Sequence, residues 1–466
     1  MSSFKLVSVD VINKLKDLLG PDKVLTEDED LYVYGYDSSI IYSGTPWAVA
    51  RAYSTEDVVK VLQFADEYSI PVIPRGAGTS LTGGPVPLDG GIILDLRAMN
   101  KINVHIDDGV VEAEAGATVD EVDKECRKYG FMFPIDPASS EVATIGGTLA
   151  NDGGGMRGAR YGTMRNVLLS MEVVLPGGKV LNLGSPVYKQ ALGYELTQLI
   201  AGSEGTLGVI TKAVFKIVPL PERMGRILAF FNDVEDAARA IFTIRRRGLN
   251  PLVLEFMDDI TLQAVDSVYK LGLPPAAAAV LADVDGYSES IERLINTFKN
   301  IFVEHNAFKV DVAMEPKDME RVYAARKGAY PALSRIYPVV IIGDVCVPIS
   351  KLPKLVRSVK DVSKKYGIPI AAVGHAGDGN LHTFTGMHSA TGDEWERGYK
   401  ANDEISLIAV ELGGSASAEH GIGMQKKRLL DRELRLRGGD EVIRIMKEIK
   451  KIFDPKGIMN PGKLFD

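Results

Sequence analysis

The segment His375-Ala376-Gly377-Asp378-Gly379-Asn380-Leu381-His382 brings two imidazoles close together along the chain. Asp378-Gly379 is a preferred two-residue hairpin turn. With that turn, Gly377 pairs with Asn380 and His375 falls directly opposite His382. Cross-strand partners share a face with Cβ atoms about 5 Å apart, and two imidazoles at that spacing can grip one divalent cation. Ala372, Val373 and Leu381 would dehydrate such a site. Further on, Ser417-Ala418-Glu419-His420-Gly421-Ile422-Gly423 offers the Glu419 carboxylate as a third ligand and leaves His420 beside the cation. Two histidines and a glutamate with open positions form a catalytic ligand set. The plainer alternative is a stacked pair of structural histidines and a capped loop. His105, His305 and His388 lack partners in sequence and read as surface or structural residues.

A second chemistry is written in glycine. Gly76, Gly78, Gly83 and Gly84 share one loop after a strand, and Gly146, Gly147, Gly153, Gly154, Gly155 and Gly158 crowd another. Glycine lets backbone N–H groups approach a phosphate closely and adopt positive φ. Two such loops, with Gly202-Ser203-Glu204-Gly205-Thr206-Leu207-Gly208 as a third, suggest a dinucleotide pyrophosphate held between pieces of backbone. Gly153-Gly154-Gly155-Met156-Arg157-Gly158 fits G-x-G-x-x-G, but it follows small residues instead of an apolar strand, so the Rossmann context is missing. No Walker A sequence occurs. For any one loop alone, an ordinary tight turn is the simpler explanation.

Composition narrows the classes. The 466 residues suffice for two or three domains, and 45% hydrophobic with 25% charged residues is normal for a globular protein. A net charge of −8 disfavours nucleic acid as a partner. Cys126 and Cys346 are too few for a disulfide framework or an iron–sulfur cluster, and their usage fits a reducing cytoplasm. Residues 1–11 lack a signal peptide's apolar stretch, and no run approaches the roughly 18 apolar residues of a membrane span. The expectation is a cytoplasmic protein without a transmembrane segment, with peripheral contact at the inner face of the membrane as the alternative.

The elements that must position these residues follow in order. Residues 47–52 read as a strand, and Ser54 caps a helix over 55–68 with Asp57 in its first turn. A strand at 71–74 runs into the glycine loop 75–84. Strands follow at 91–96, 102–106 and 110–115, then a helix at 118–129 and a hairpin over 166–183 turning at Pro176-Gly177-Gly178. After a strand at 213–218, Pro219-Leu220-Pro221 marks a boundary. Beyond it, strands at 225–231, 251–257, 277–284 and 308–313 with helices at 234–247 and 288–305 give a β-α-β-β-α-β order, with a short helix between the middle strands. Helices are expected at 316–336, 351–366, 392–412 and 440–452, before an irregular Pro/Gly-rich tail.

Taken together, Pro74-Arg75-Gly76-Ala77-Gly78-Thr79-Ser80, Asp136-Pro137, Thr144-Ile145-Gly146-Gly147, Arg160-Tyr161-Gly162, the Gly202 to Gly208 run, the His375 to His382 segment, Glu419-His420-Gly421 and Asn460-Pro461-Gly462 carry a resemblance. From about residue 23 to the C-terminus the chain resembles the FAD-linked oxidases of the vanillyl-alcohol-oxidase and p-cresol-methylhydroxylase type. It is most similar to the branch of glycolate oxidase FAD subunits, cytochrome- or dye-linked D-lactate dehydrogenases and D-2-hydroxyglutarate dehydrogenases.

The resemblance implies an α+β fold: a two-subdomain FAD-binding domain over 1–221, a ferredoxin-like cap with the metal site over 222–420, and a helical C-terminal segment over 421–466 returning to the FAD domain. It assigns cofactor contacts to Pro74 through Ser80, Gly83, Pro137, Thr144, Gly147, Asn151, Tyr161, Gly162, Glu204, Gly208, Ile210 and Asn460. It implies His375, His382 and Glu419 as ligands of a divalent metal (zinc, with manganese or iron as alternatives), His420 as general base, and Arg326 as the clamp for a substrate carboxylate. The plainer reading of Arg326 is a solvated helix residue. Loop 75–84 has no His or Cys, so FAD is expected to be non-covalent.

The resemblance implies oxidation of a small D-2-hydroxy acid, D-lactate first, because the segment Tyr337-Pro338-Val339-Val340-Ile341-Ile342 is apolar where the similar D-2-hydroxyglutarate dehydrogenases usually carry polar residues for the distal carboxylate. Glycolate and D-2-hydroxyglutarate are the nearest alternatives. The chain carries no second redox centre, so a quinone, a cytochrome, an electron-transfer flavoprotein or an iron–sulfur subunit must take the electrons. A homodimer is the oligomer to test. Competing readings are a redox-neutral transferase resembling alkylglycerone-phosphate synthase, a metal hydrolase, and a non-catalytic flavin subunit.

Overall fold

The computed structural model describes residues 8–39 and 41–465, apart from the side chains of 316, 321, 322, 324 and 325. The chain forms two compact units: residues 1–154, 163–220 and 419–466, and residues 155–162 with 221–418.

The first unit holds two sheets. In the smaller, strands Val24–Leu25, Ala48–Arg51, Ile92–Asp95 and Val72–Arg75 lie side by side in that order, the last three mutually parallel. Helix Thr55–Tyr68 crosses between two of them. Ser54 Oγ accepts the Asp57 N–H at its start, and Val58, Val61, Leu62 and Ala65 bury one face at helical spacing. The strand Val72–Arg75 then delivers the chain into the glycine loop. The larger sheet is antiparallel, in the order Ile102–His105, Val110–Glu114, Val209–Lys216, Leu168–Val174, Val180–Gly184. The C-terminal residues Ile458 and Met459 are fully buried in the core of the smaller sheet.

The second unit is one seven-stranded sheet, and its alternation positions the chemistry. Strands Ala307–Ala313, Arg223–Phe231, Ala278–Gly286 and Val253–Asp258 are neighbours in that order, the ferredoxin-like arrangement. Ile370–Gly374, Asn380–Met387 and Val339–Cys346 extend it, joined where Phe256 and Met257 pair with Gly374 and Val373. Helices Val234–Arg246, Ile291–Glu304, Leu352–Tyr366 and Gly392–Glu411 pack Ile241, Phe298, Val359 and Ile405 against one sheet face. That face takes Leu254, Phe256, Ile341, Val345 and Leu381. Successive strand residues point to opposite faces, so Glu255, Asp344, Asn380 and His382 all project from the other side.

Three expectations need correction. The strands around 375–382 pair Val373, not His375, with His382. Asp378-Gly379 is part of a five-residue connection: the Asp378 N–H bonds to His375 O, and the Gly379 N–H to Ala376 O. The 316–336 helix is two, Pro316–Lys327 and Ala329–Ile336. The helix expected at 440–452 is found, as the second half of Lys427–Phe453 after a break at Gly439, whose φ of 67° is open to glycine. The segment 337–342, read only for its apolarity, leads into an edge strand paired with Asn380–Met387.

Candidate active site

The register error is a shift of two residues, which keeps side chains on the same face. His375 and His382 therefore still meet, with ring centroids 5.0 Å apart and planes at 87°. Each ring turns Nδ1 toward a buried carboxylate. His375 Nδ1 lies 2.7 Å from Glu255 Oε1, within hydrogen-bond reach, and His382 Nδ1 lies 3.5 Å from Asp344 Oδ1, at ion-pair distance. A carboxylate on Nδ1 is the arrangement that fixes the tautomer offering Nε2 to a metal, so these residues suit a cation.

Both carboxylates are held from further directions. Glu255 Oε2 accepts from Arg326 Nε at 2.5 Å. Burial alone would raise the Glu255 carboxyl, but the facing His375 and Arg326 charges hold it at about 2. Asp344 accepts from Asn380 Nδ2 at 2.8 Å, the Ala418 N–H at 2.9 Å and Ser417 Oγ at 3.3 Å. On the same face, one pair along from Asp344 and His382, Ile342 stands opposite Phe384, with Val340 beyond.

The first unit assembles the glycine loops. Among the described residues, no protein acceptor meets the backbone N–H groups of residues 76–81. Such a run of unclaimed donors suits a pyrophosphate. The loop is shaped by contacts a side chain would fill: a Cβ on Gly76 would lie 2.1 Å from Thr144 Oγ1, and one on Gly78 would meet the Arg75 guanidinium at 2.2 Å. Thr144 in turn caps helix Ile145–Asn151 through Gly147 N–H.

Glu204, buried and held at a φ of 53°, accepts the Ile422 N–H at 2.6 Å and the Gly423 N–H at 2.7 Å. Its burial raises its carboxyl, against those two donors and nearby lysines. Asn460 Nδ2 bridges Gly84 O and Glu204 O, while its buried Oδ1 has no partner among the described residues. A buried acceptor left unpaired is costly, and a cofactor donor would satisfy it. The His420 carbonyl accepts from Asn151 Nδ2 at 3.3 Å and Thr82 Oγ1 at 3.4 Å.

The predicted residues thus separate by unit. Pro74, Arg75, Gly76, Ala77, Gly78, Thr79, Ser80, Gly83, Thr144, Gly147, Asn151, Glu204 and Asn460 lie in the first unit, with Glu419 and His420. There a Cβ on Gly154 would lie 2.7 Å from Glu419 Oε2. The Arg75 side chain is turned inward under the loop, over the Tyr34 ring. Pro137 begins a turn, its carbonyl accepting the Ser140 N–H, and Gly208 and Ile210 pack at the start of the strand paired with Val173. His375, His382 and Arg326 lie in the second unit, as do Tyr161 and Gly162. Arg326 is buried in its ion pair, not solvated. Glu255 and Asp344 were missed by sequence reasoning. The signal was there: each is a carboxylate flanked by apolar residues within a strand, a placement that is expensive unless the charge is paired.

Residues 46–184 match the family described as FAD binding domain, and residues 220–464 match FAD linked oxidases, C-terminal domain. The chain is 36% identical to the glycolate oxidase subunit GlcD of Bacillus subtilis, covering 99% of this chain and 97% of that protein. It is 36% identical to a D-lactate dehydrogenase of Archaeoglobus fulgidus, covering 90% and 91%. Among solved structures, p-cresol methylhydroxylase with substrate bound shares the fold, with a TM-score of 0.80, 20% identity and coverage of 98% and 96%. With a cradle of unclaimed N–H groups, and with both family matches and two near-full-length relatives, the chain belongs to the FAD-linked oxidases.

Proposed function

We propose that this protein oxidises a small D-2-hydroxy acid, D-lactate first, to the 2-oxo acid, using non-covalent FAD and one divalent cation. The observation that carries the reading is the pair of carboxylate-backed imidazoles on one sheet face, next to apolar side chains and a buried arginine. Relatives described as D-lactate dehydrogenase and glycolate oxidase subunit support the substrate class.

When bound, FAD supplies a two-electron acceptor for the hydrogen on C2, and the cation supplies positive charge against the substrate oxygen. His375 and His382 hold the cation. Glu419 completes the set: it directly follows Ala418, whose N–H is bonded to Asp344, the carboxylate beside His382. His420 takes the hydroxyl proton on an imidazole nitrogen, acting as general base. Arg326 holds the substrate carboxylate through its terminal nitrogens, since the bond to Glu255 uses Nε. Val340, Ile342 and Phe384 exclude water and suit a methyl group better than a second carboxylate. Zinc is the first cation to test, then manganese and iron. Electrons leave to a quinone, cytochrome, electron-transfer flavoprotein or iron–sulfur subunit, and the protein works in the cytoplasm or at the membrane's inner face.

The test is steady-state reduction of an artificial dye by D- and L-lactate, glycolate and D-2-hydroxyglutarate. D-lactate should give the highest kcat/KM. A higher value for D-2-hydroxyglutarate would overturn the substrate, and no reduction by any of them would overturn the reaction.

A further inference from the structure

Glu255 is a carboxylate of the second unit shared between two partners. It is fully buried in the strand Val253–Asp258, and its two oxygens serve two different groups. Oε1 meets His375 Nδ1 at 2.7 Å, and Oε2 meets Arg326 Nε at 2.5 Å. These partners lie 120 and 71 residues away in sequence. We infer that Glu255 is a positioning residue that ties a cation ligand to the substrate clamp, setting the His375 tautomer and the Arg326 fork with one carboxylate. This rests on the function proposed above.

The chemistry makes the carboxylate hard to replace. Both partners approach it with N–H groups, and an ionised carboxylate accepts at both oxygens. A glutamine accepts at one end only and presents N–H donors at the other. Whichever way it turns, one partner faces a donor. Aspartate keeps the charge but is one methylene shorter, so it reaches one partner at a time.

The experiment measures zinc affinity of the folded, FAD-loaded protein by equilibrium dialysis for wild type, Glu255→Gln, Glu255→Asp and His375→Ala, alongside KM for D-lactate. Glu255→Gln should weaken zinc about 10- to 100-fold and raise KM, with FAD content unchanged, and Glu255→Asp should fall between it and wild type. A carboxylate that only stabilised the fold would leave the zinc affinity of folded protein unmoved. Wild-type zinc affinity in either Glu255 variant overturns the inference. If wild type binds no zinc, or His375→Ala binds it equally well, the proposed cation fails instead. The positioning role is then still decided by nitrogen NMR of histidine-labelled, metal-free wild type, assigned with His375→Ala. A slowly exchanging Nδ1–H on His375 is expected, and an Nε2–H tautomer there overturns it.

Discussion

His420 is held by its backbone, with Asn151 and Thr82 both bonded to its carbonyl, so truncating its side chain leaves the anchoring bonds in place. His420→Ala should therefore keep FAD and the cation while kcat falls about 10²- to 10⁴-fold, the usual worth of a positioned base. Turnover near wild type would remove His420 from that role. Chelation should abolish turnover without bleaching the protein, because the cradle around residues 76–81 uses backbone donors and no histidine. A fully active metal-free enzyme would remove the cation from the mechanism.

At the level of elements, the C-terminal tail and the glycine loop hold each other through buried polar groups. Lys463 Nζ donates to Val86 O at 2.8 Å, and burial pushes the amine down to about 8, against the pull of Glu204. The sign of the linkage follows. Between about pH 8 and the amine's ordinary value of 10.5 the unfolded chain carries a proton that the folded chain lacks, so stability rises with pH across that window. Urea unfolding should show wild type gaining on Lys463→Met by up to roughly 3 kcal/mol from pH 8 to 10.5. Parallel curves for the two proteins would show that the amine is not desolvated. The second unit makes the same point about elements differently: strand alternation alone places Glu255, Asp344 and His382 on one face, and the helices on the other.

For the molecule as a whole, the tail is part of the cofactor unit. Val72 bridges to Met459, the Asn460 N–H donates to Val72 O, and Asn460 Nδ2 spans Gly84 and Glu204. A chain ending after Phe453 should be purified without flavin. Retention of stoichiometric FAD would show that the tail is dispensable to the cradle. Denaturing the full chain should release free flavin into solution, as expected of a loop with neither histidine nor cysteine. Colour that stays with the polypeptide would point to a covalent link elsewhere. Among the described residues no helix is long and apolar enough to cross a membrane.

The sequence by itself determined what is local. Glycines at positions needing positive φ or close approach, such as Gly78 and Gly83, the Ser54 cap, the helix and strand periods of both units, and the His375/His382 and Glu419-His420 pairs are all legible within short windows, because dihedral preference and side-chain period act over a few residues. Strand register was not legible: a two-residue turn and a five-residue connection differ by hydrogen bonds to the chain outside the segment, such as the Gly377 N–H to Leu254 O. Nor was the pairing of charges. Whether Arg326 is solvated or buried against Glu255, and which carboxylate stands behind each histidine, depends on strands far apart in sequence becoming neighbours in one sheet. Only the tertiary fold removes those groups from water, and desolvation makes each buried charge depend on the partner it meets.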